Sequence, residues 1–325
     1  MCNDISLSTI NEYISIMIRM IEKFREMLLS EFQASNNTII SYVTDLKFFN
    51  FFLQERKIAP LSVTHSDITD YLVTLNKESS ATVRRKISVL KRFYSFLLTE
   101  RDITENPTLS IKYPKREHKL PNVPSETDII KMFTGIRELY LNDEFLLLRN
   151  NAIFAVLYST GLRVSELITL KLADVMENEY LRDNSVKRII KVIGKGNKER
   201  NVVLNDIAYA TLAQYVHLII TTKKNCNNFG WLFSSEDSPT THLTRQRIGQ
   251  IIREVATYMN IDKKLISPHK VRHAFATHIL RKGAQIHVLQ KILGHSSITS
   301  TQIYTSVLND DLRNMLNDKH PLSKK

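Results

Sequence analysis

Apolar positions in the first hundred residues recur at helical spacing. Ile39, Tyr42, Val43, Leu46, Phe49 and Leu53 form one stripe, behind a polar Ser35-Asn-Asn-Thr38 with the chemistry of a helix cap. Ile68, Tyr71, Leu72 and Leu75 repeat the pattern after Ser66, and Val83, Ile87, Leu90, Tyr94 and Leu97 repeat it again. This third stripe leaves Arg84, Arg85, Lys91 and Arg92 off its apolar side, on a face that can meet phosphates or simply water. Upstream, the apolar run Ile14–Met20 is broken by Arg19, then by Glu22, Lys23 and Arg25. That pattern fits an amphipathic helix and argues against a signal peptide or a membrane span.

The periodicity stops between Asn106-Pro107 and Pro124. Tyr113-Pro-Lys-Arg-Glu-His-Lys-Leu-Pro121 mixes prolines and charges without an apolar face, which predicts an extended linker over residues 113–124. A helical domain over 1–112 precedes it and a second domain over 125–325 follows. Ser125-x-x-Asp128 has the form of a helix start. Helical patterns then resume, interrupted once: Arg188–Ile193 and Glu199–Leu204 read as two strands flanking Gly194-Lys-Gly-Asn197. The expected fold is mainly α with a small β-sheet. Two basic domains on an extended linker can close around opposite faces of a duplex.

Composition agrees with two folded domains. The 325 residues are 43% hydrophobic and 24% charged, enough to bury cores and unlike a disordered chain. Lys and Arg number 45 against 33 Asp and Glu, a formal net charge of +12 that favours a polyanionic partner. Cys2 and Cys226 are the only cysteines, which excludes a disulfide framework and a thiolate metal cluster and fits a reducing, cytoplasmic setting.

The second half carries the chemistry. Arg163, Lys195, His269, Arg272, His295 and Tyr304 follow one another in Thr160-Gly-Leu-Arg-Val-Ser-Glu-Leu167, Gly194-Lys-Gly196, His269-Lys-Val-Arg272, Leu293-Gly-His295 and Thr301-Gln-Ile-Tyr304. Breaking a phosphodiester needs donors on the non-bridging oxygens, a nucleophile and a proton for the leaving oxygen. Guanidiniums match phosphate oxygens with paired donors and stabilise the pentavalent state. A tyrosine, with an ordinary pKa of about 10, attacks phosphorus once its proton is removed. A lysine at a mobile turn can protonate the leaving oxygen, with Lys198 a neighbouring backbone contact. Glu166 either orients Arg163 or forms a plain surface ion pair. The rival reading is a metal site, because His269 and His273 are four apart and share a helix face. His-Lys-Val-Arg-His lacks the glutamate of the zinc-protease motif and brings a cation, Arg272, into that site, so no metal is expected. His273 and His278 fit structural roles.

Taken together these words resemble the tyrosine recombinase (phage integrase) family, and Gly-Lys-Gly-Asn-Lys-Glu-Arg and Ser-Pro-His-Lys-Val-Arg-His-Ala-Phe-Ala-Thr-His resemble its bacterial XerC/XerD branch, with the wording around His269 and Tyr304 and His320-Pro321 on the XerD side. The resemblance runs from about Phe24 to the C-terminus, leaving the preceding residues without a role. It implies a helical, SAM-like core-binding domain and an α+β catalytic domain forming a C-shaped clamp on double-stranded DNA. It also implies a 3′-phosphotyrosyl intermediate on Tyr304, held by Arg163 and Arg272, with Lys195 as general acid, His269 in proton transfer and His295 donating to a phosphate oxygen; the chemistry uses no cofactor. Further implications are a dif-like DNA site, a heterotetramer with a XerC-type recombinase, control by an FtsK-type translocase, and resolution of chromosome dimers at division. Val307–Lys325 would then dock on a neighbouring protomer. A mobile-element integrase, a self-sufficient single recombinase, or a non-catalytic DNA-binding protein on the same fold remain alternatives.

Overall fold

The computed structural model describes residues 7–32, 34–115, 122–177, 186–194, 199–222, 230–235 and 241–293. The chain divides into two compact units, Met1–His118 and Lys119–Lys325.

The first unit contains α1 (Leu7–Ser30), α2 (Asn36–Glu55), α3 (His65–Thr74) and α4 (Ser80–Thr99). Ser35 caps α2 by accepting the Thr38 N–H, as its sequence context predicts. The start of α3 differs from the pattern after Ser66. Thr64 is the cap: its hydroxyl accepts the Asp67 N–H while the Asp67 carboxylate accepts the Thr64 N–H. The reciprocal box needs an acidic or amide side chain three residues on, which Thr64 has in Asp67 and Ser66 lacks. The apolar stripes meet in one core around Phe24, Leu46, Phe49, Phe93 and Tyr94, with Phe24 and Phe93 edge to face at 5.4 Å.

The basic face of α4 is occupied locally. Arg84 donates to the Pro114 carbonyl at 2.6 Å and lies 4.9 Å from the Tyr113 ring, which Lys91 approaches at 5.2 Å. Arg92 stacks over Phe32 at 3.9 Å. Tyr113–Lys115, at the head of the expected linker, therefore lie along α4, and Ser80 donates its hydroxyl to the Lys115 carbonyl at 2.9 Å. Arg85 differs from the other three: it pairs with the buried carboxylate of Asp45 and also donates to Ser41 Oγ.

In the second unit lie α5 (Glu126–Leu139), α6 (Glu144–Thr160), α7 (Val164–Ile168), α8 (Leu172–Val175), β1 (Ile189–Ile193), β2 (Glu199–Val203), α9 (Asp206–Thr222), α10 (Arg245–Tyr258), α11 (Pro268–Arg281) and α12 (Ile286–Leu293). Ser125 and Asp128 close a capping box at the head of α5. The run Ala152–Leu157 is buried on every side, so α6 is the central helix, packed by α5, α9 and α11. β1 and β2 pair antiparallel, Ile189 opposite Val203, with Ile190, Val192 and Val202 turned into the core. Among the described residues no helix is long and apolar enough to cross a membrane.

Burial raises the Asp45 pKa, and Arg85 and Lys86 oppose that rise. Arg85→Ala leaves the carboxylate without its main partner and should cost about 1–3 kcal/mol in urea denaturation at neutral pH. A carboxyl whose folded-state pKa is raised takes up its proton more readily folded than unfolded. The deficit should therefore shrink as pH falls and Asp45 becomes neutral. An equal deficit at pH 7 and pH 4.5 would show that the charge is not its cause.

Candidate active site

Helix α6 ends at Gly161, whose φ of 60° is the left-handed conformation glycine adopts without strain. A side chain at this position would also crowd Phe275 and Leu293. The turn delivers Arg163 to the head of α7, where Glu166 reaches back one turn. The Glu166 carboxylate accepts the Arg163 backbone N–H at 2.7 Å and Arg163 Nη1 at 2.9 Å. It also accepts both terminal nitrogens of Arg200, each at 2.8 Å. Glu166 is only 5% exposed, so the reading as a plain surface pair gives way to a buried three-membered cluster. Burial alone would raise its pKa; the hydrogen bonds from Arg200 and Arg163 outweigh that and hold the carboxyl below the ordinary range.

Arg200 carries no role in the motif reading, although a signal for it exists. Along β2 the residues facing inward alternate, and Val202 is buried on that face, with Leu204 beyond the strand. Arg200 lies in the same register, and an arginine aimed at a core demands a carboxylate. Its Nε also donates to the Ile292 carbonyl at 3.2 Å, tying the strand to the end of α12.

The head of α11 brings the other cationic groups. Ser267 caps it, Pro268 occupies the first turn, and His269 and Arg272 follow one turn apart. Arg272 is buried, and its guanidinium bridges two backbone carbonyls, Gly161 through Nη1 and Leu293 through Nη2 at 2.7 Å. The ends of α6 and α12 thus converge on one side chain. His269, on the accessible side of α11, has its pKa lowered by desolvation and then by the charges of Arg272 and Arg163. Its Nε2 stands 2.8 Å from Nε2 of His273, so one ring donates and the other accepts. The two histidines do share a helix face. Among the described residues, however, no group of three or more His, Cys, Asp or Glu could hold a metal ion. His278 lies deeper, its Nδ1 3.0 Å from the Tyr158 hydroxyl.

The structure therefore brings Arg163, His269 and Arg272 together from α7 and α11. Lys195, Lys198, His295 and Tyr304 lie outside the described residues, as does the stretch Val307–Lys325. Arg84, Arg85, Lys91 and Arg92 belong to the other unit. What the described part offers is a shelf of fixed guanidiniums beside a neutral-leaning imidazole, an arrangement suited to an oxyanion such as a phosphodiester.

Comparison with known proteins agrees with this chemistry. Residues 135–310 match the phage integrase family and residues 21–101 match its N-terminal SAM-like domain. The chain is 37% identical over 308 residues to tyrosine recombinase XerD of Rickettsia conorii, covering 94% of this chain and 99% of that protein. It is 36% identical over 310 residues to tyrosine recombinase XerD of Staphylococcus haemolyticus, covering 94% and 99%. Its fold matches the crystal structure of the XerH site-specific recombinase bound to a palindromic difH substrate in a post-cleavage complex, with a TM-score of 0.69, 19% identity and coverage of 93% and 95%. The chain belongs to the phage integrase family. It is accordingly an enzyme of the tyrosine recombinase type, one that cuts and rejoins DNA strands, and it is XerD-like within that type.

Glu166→Gln should weaken the cluster, because a neutral amide is a poorer acceptor for two guanidiniums; about 1–3 kcal/mol of stability at neutral pH is expected to be lost. A carboxyl with a lowered folded-state pKa stabilises the fold fully above its unfolded value and loses that contribution as pH falls through the folded one. Denaturation of wild type and variant should therefore differ most at neutral pH and converge below the ordinary glutamate value of 4.5. Curves that run parallel into acid would contradict the assigned pairing.

Proposed function

We propose that this enzyme exchanges DNA strands at a dif-like site through a 3′-phosphotyrosyl intermediate on Tyr304. The observation that carries the reading is the pair of fixed guanidiniums, Arg163 and Arg272, beside His269, in a chain of XerD-like sequence. In this scheme Arg163 and Arg272 bind the non-bridging oxygens and stabilise the pentavalent state. His269, kept neutral, handles the proton of the attacking tyrosine, and His295 adds a donor to the phosphate. Lys195 protonates the 5′ leaving oxygen. The phosphotyrosyl ester keeps most of the phosphodiester's free energy, so resealing needs neither a nucleotide nor a metal.

The wider setting is also a proposal. Residues 1–112 and 125–325, joined through 113–124, act as the two arms of a C-shaped clamp on double-stranded DNA, with Lys198 as a backbone contact. Two pairs of protomers, one XerC-type, form the heterotetramer, docking through Val307–Lys325 under an FtsK-type translocase. The reaction converts chromosome dimers to monomers in the cytoplasm at division. The relatives named XerD support this choice over a mobile-element integrase.

A nicked suicide duplex carrying dif-like half-sites tests the chemistry. Wild type should form a covalent protein–DNA adduct in excess chelator, and Tyr304→Phe should bind the duplex without forming it. Lys195→Ala should slow adduct formation by roughly a hundredfold or more, and sulfur in place of the leaving oxygen, which needs less protonation, should restore much of the rate. Mapping of the phosphotyrosyl bond to any other tyrosine would sink the assignment of Tyr304, and no recovery with sulfur would place the acid elsewhere.

The α4 face is tested by salt. Because Arg85 is needed by Asp45, the informative variant replaces Arg84, Lys91 and Arg92 by alanine. Each lost phosphate contact should flatten the slope of log affinity against log salt by up to about one unit. An unchanged slope in a folded variant would remove this face from the DNA interface.

A further inference from the structure

Two cationic side chains share the Glu166 carboxylate, yet only one of them belongs to the catalytic set proposed above. We propose that the second, Arg200, is a positioning residue for Arg163, acting through Glu166; the inference rests on the recombinase reading of this site.

The geometry separates the two arginines by task. Arg200 is largely buried, with 13% of its side chain exposed, whereas Arg163 retains 36%. Arg200 meets the carboxylate as a fork, one nitrogen on each oxygen, and its remaining Nε–H is used by the Ile292 carbonyl. Three of its donors thus have protein acceptors, which leaves little for a substrate. Arg163 spends one guanidinium nitrogen on Oε1, and its side chain keeps more than a third of its surface accessible.

Consider what the carboxylate does without Arg200. Without Arg200, the oxygen that accepts the Arg163 backbone N–H has only that partner, and it can turn onto the Arg163 guanidinium toward the bidentate pair that arginine and carboxylate prefer. That pair is neutral, and its donors are taken from the phosphate. With Arg200 in place both oxygens are already engaged, Arg163 is held by a single side-chain contact, and the cluster keeps a net positive charge. Arg200 also fixes the end of α12 relative to α7, because the same guanidinium that grips Glu166 holds Ile292. Its effect is on the aim and charge of Arg163 rather than on substrate itself.

The test is single-turnover cleavage of the nicked suicide duplex at saturating protein, by wild type, Arg200→Lys, Glu166→Gln and the double variant. Lysine keeps the charge but cannot form the fork. Arg200→Lys should retain DNA affinity within about twofold and the wild-type salt slope, while its cleavage rate constant falls by roughly tenfold to a hundredfold, the scale expected of a misplaced catalytic group. The double variant should be no slower than Glu166→Gln alone, because both changes break one linkage. A wild-type rate for Arg200→Lys, or losses that multiply in the double variant, would each overturn the proposal. A second measurement uses the wild-type protein alone and so does not depend on any variant folding. Nitrogen-15 NMR should show the Arg200 guanidinium in slow rotation and slow proton exchange; free rotation would refute the fork. If wild type forms no adduct, the recombinase reading fails by itself, and the NMR result still decides the placement of Arg200.

Discussion

A single buried carboxylate organises the described part of the catalytic unit. Removing Glu166 from water is costly, and three hydrogen bonds from two guanidiniums with a fourth from the Arg163 backbone N–H make the charged form favourable there. The charge balance matters as much as the geometry. One carboxylate against Arg163 and Arg200 leaves a surplus of one positive charge, and Arg272 adds another whose described acceptors are backbone carbonyls. The shelf is therefore positive where its counter-charge is least, a condition that an incoming phosphate satisfies and water satisfies poorly.

Packing holds this electrostatic arrangement in register. Phe275, Leu280, Leu289 and Leu293 form a small core of their own between α11 and α12. Gly161 lies against that core, in a position where any Cβ would collide with Phe275 and Leu293. The carbonyl of this same glycine accepts Arg272, and the carbonyl of Leu293 accepts its other arm. Sterics and hydrogen bonding thus specify one approach distance between the end of α6 and the end of α12. Arg200, through Ile292, adds a second tie to the end of α12. Cations fixed in this way before substrate arrives need little reorganisation during the reaction.

How much of this was legible in the sequence follows from the range of the interactions involved. The apolar stripes of α2 and α4, the Ser35 and Ser125 caps and the two strands depend on neighbours within a turn or a hairpin, and their patterns mark them directly. The α3 cap is Thr64, two residues before the Ser66 that precedes the apolar pattern, because the decisive partner, Asp67, satisfies only the earlier residue. Family wording located Arg163, His269 and Arg272, which the fold gathers. Arg200 was missed because its reason for existing is a carboxylate 34 positions away. Only the inward register it shares with Val202 hinted at it. Glu166 stayed undecided for the related reason that its second partner, Arg200, lies on β2 and not on its own helix.

The basic face of α4 shows why charge on a helix does not by itself define an interface. Arg84, Lys91 and Arg92 rest over Tyr113 and Phe32, contacts that use the aromatic face while leaving the positive charge intact. Side chains ordered in this way have already lost much of their rotamer freedom, so a phosphate contact costs them less than it costs a free lysine or arginine. Arg85 lies among them and is different, since its charge is committed to a carboxylate in the core. Spacing along the helix puts all four in one basic run, but the groups beneath them divide that run into three cations resting on aromatic rings and one paired with a core carboxylate.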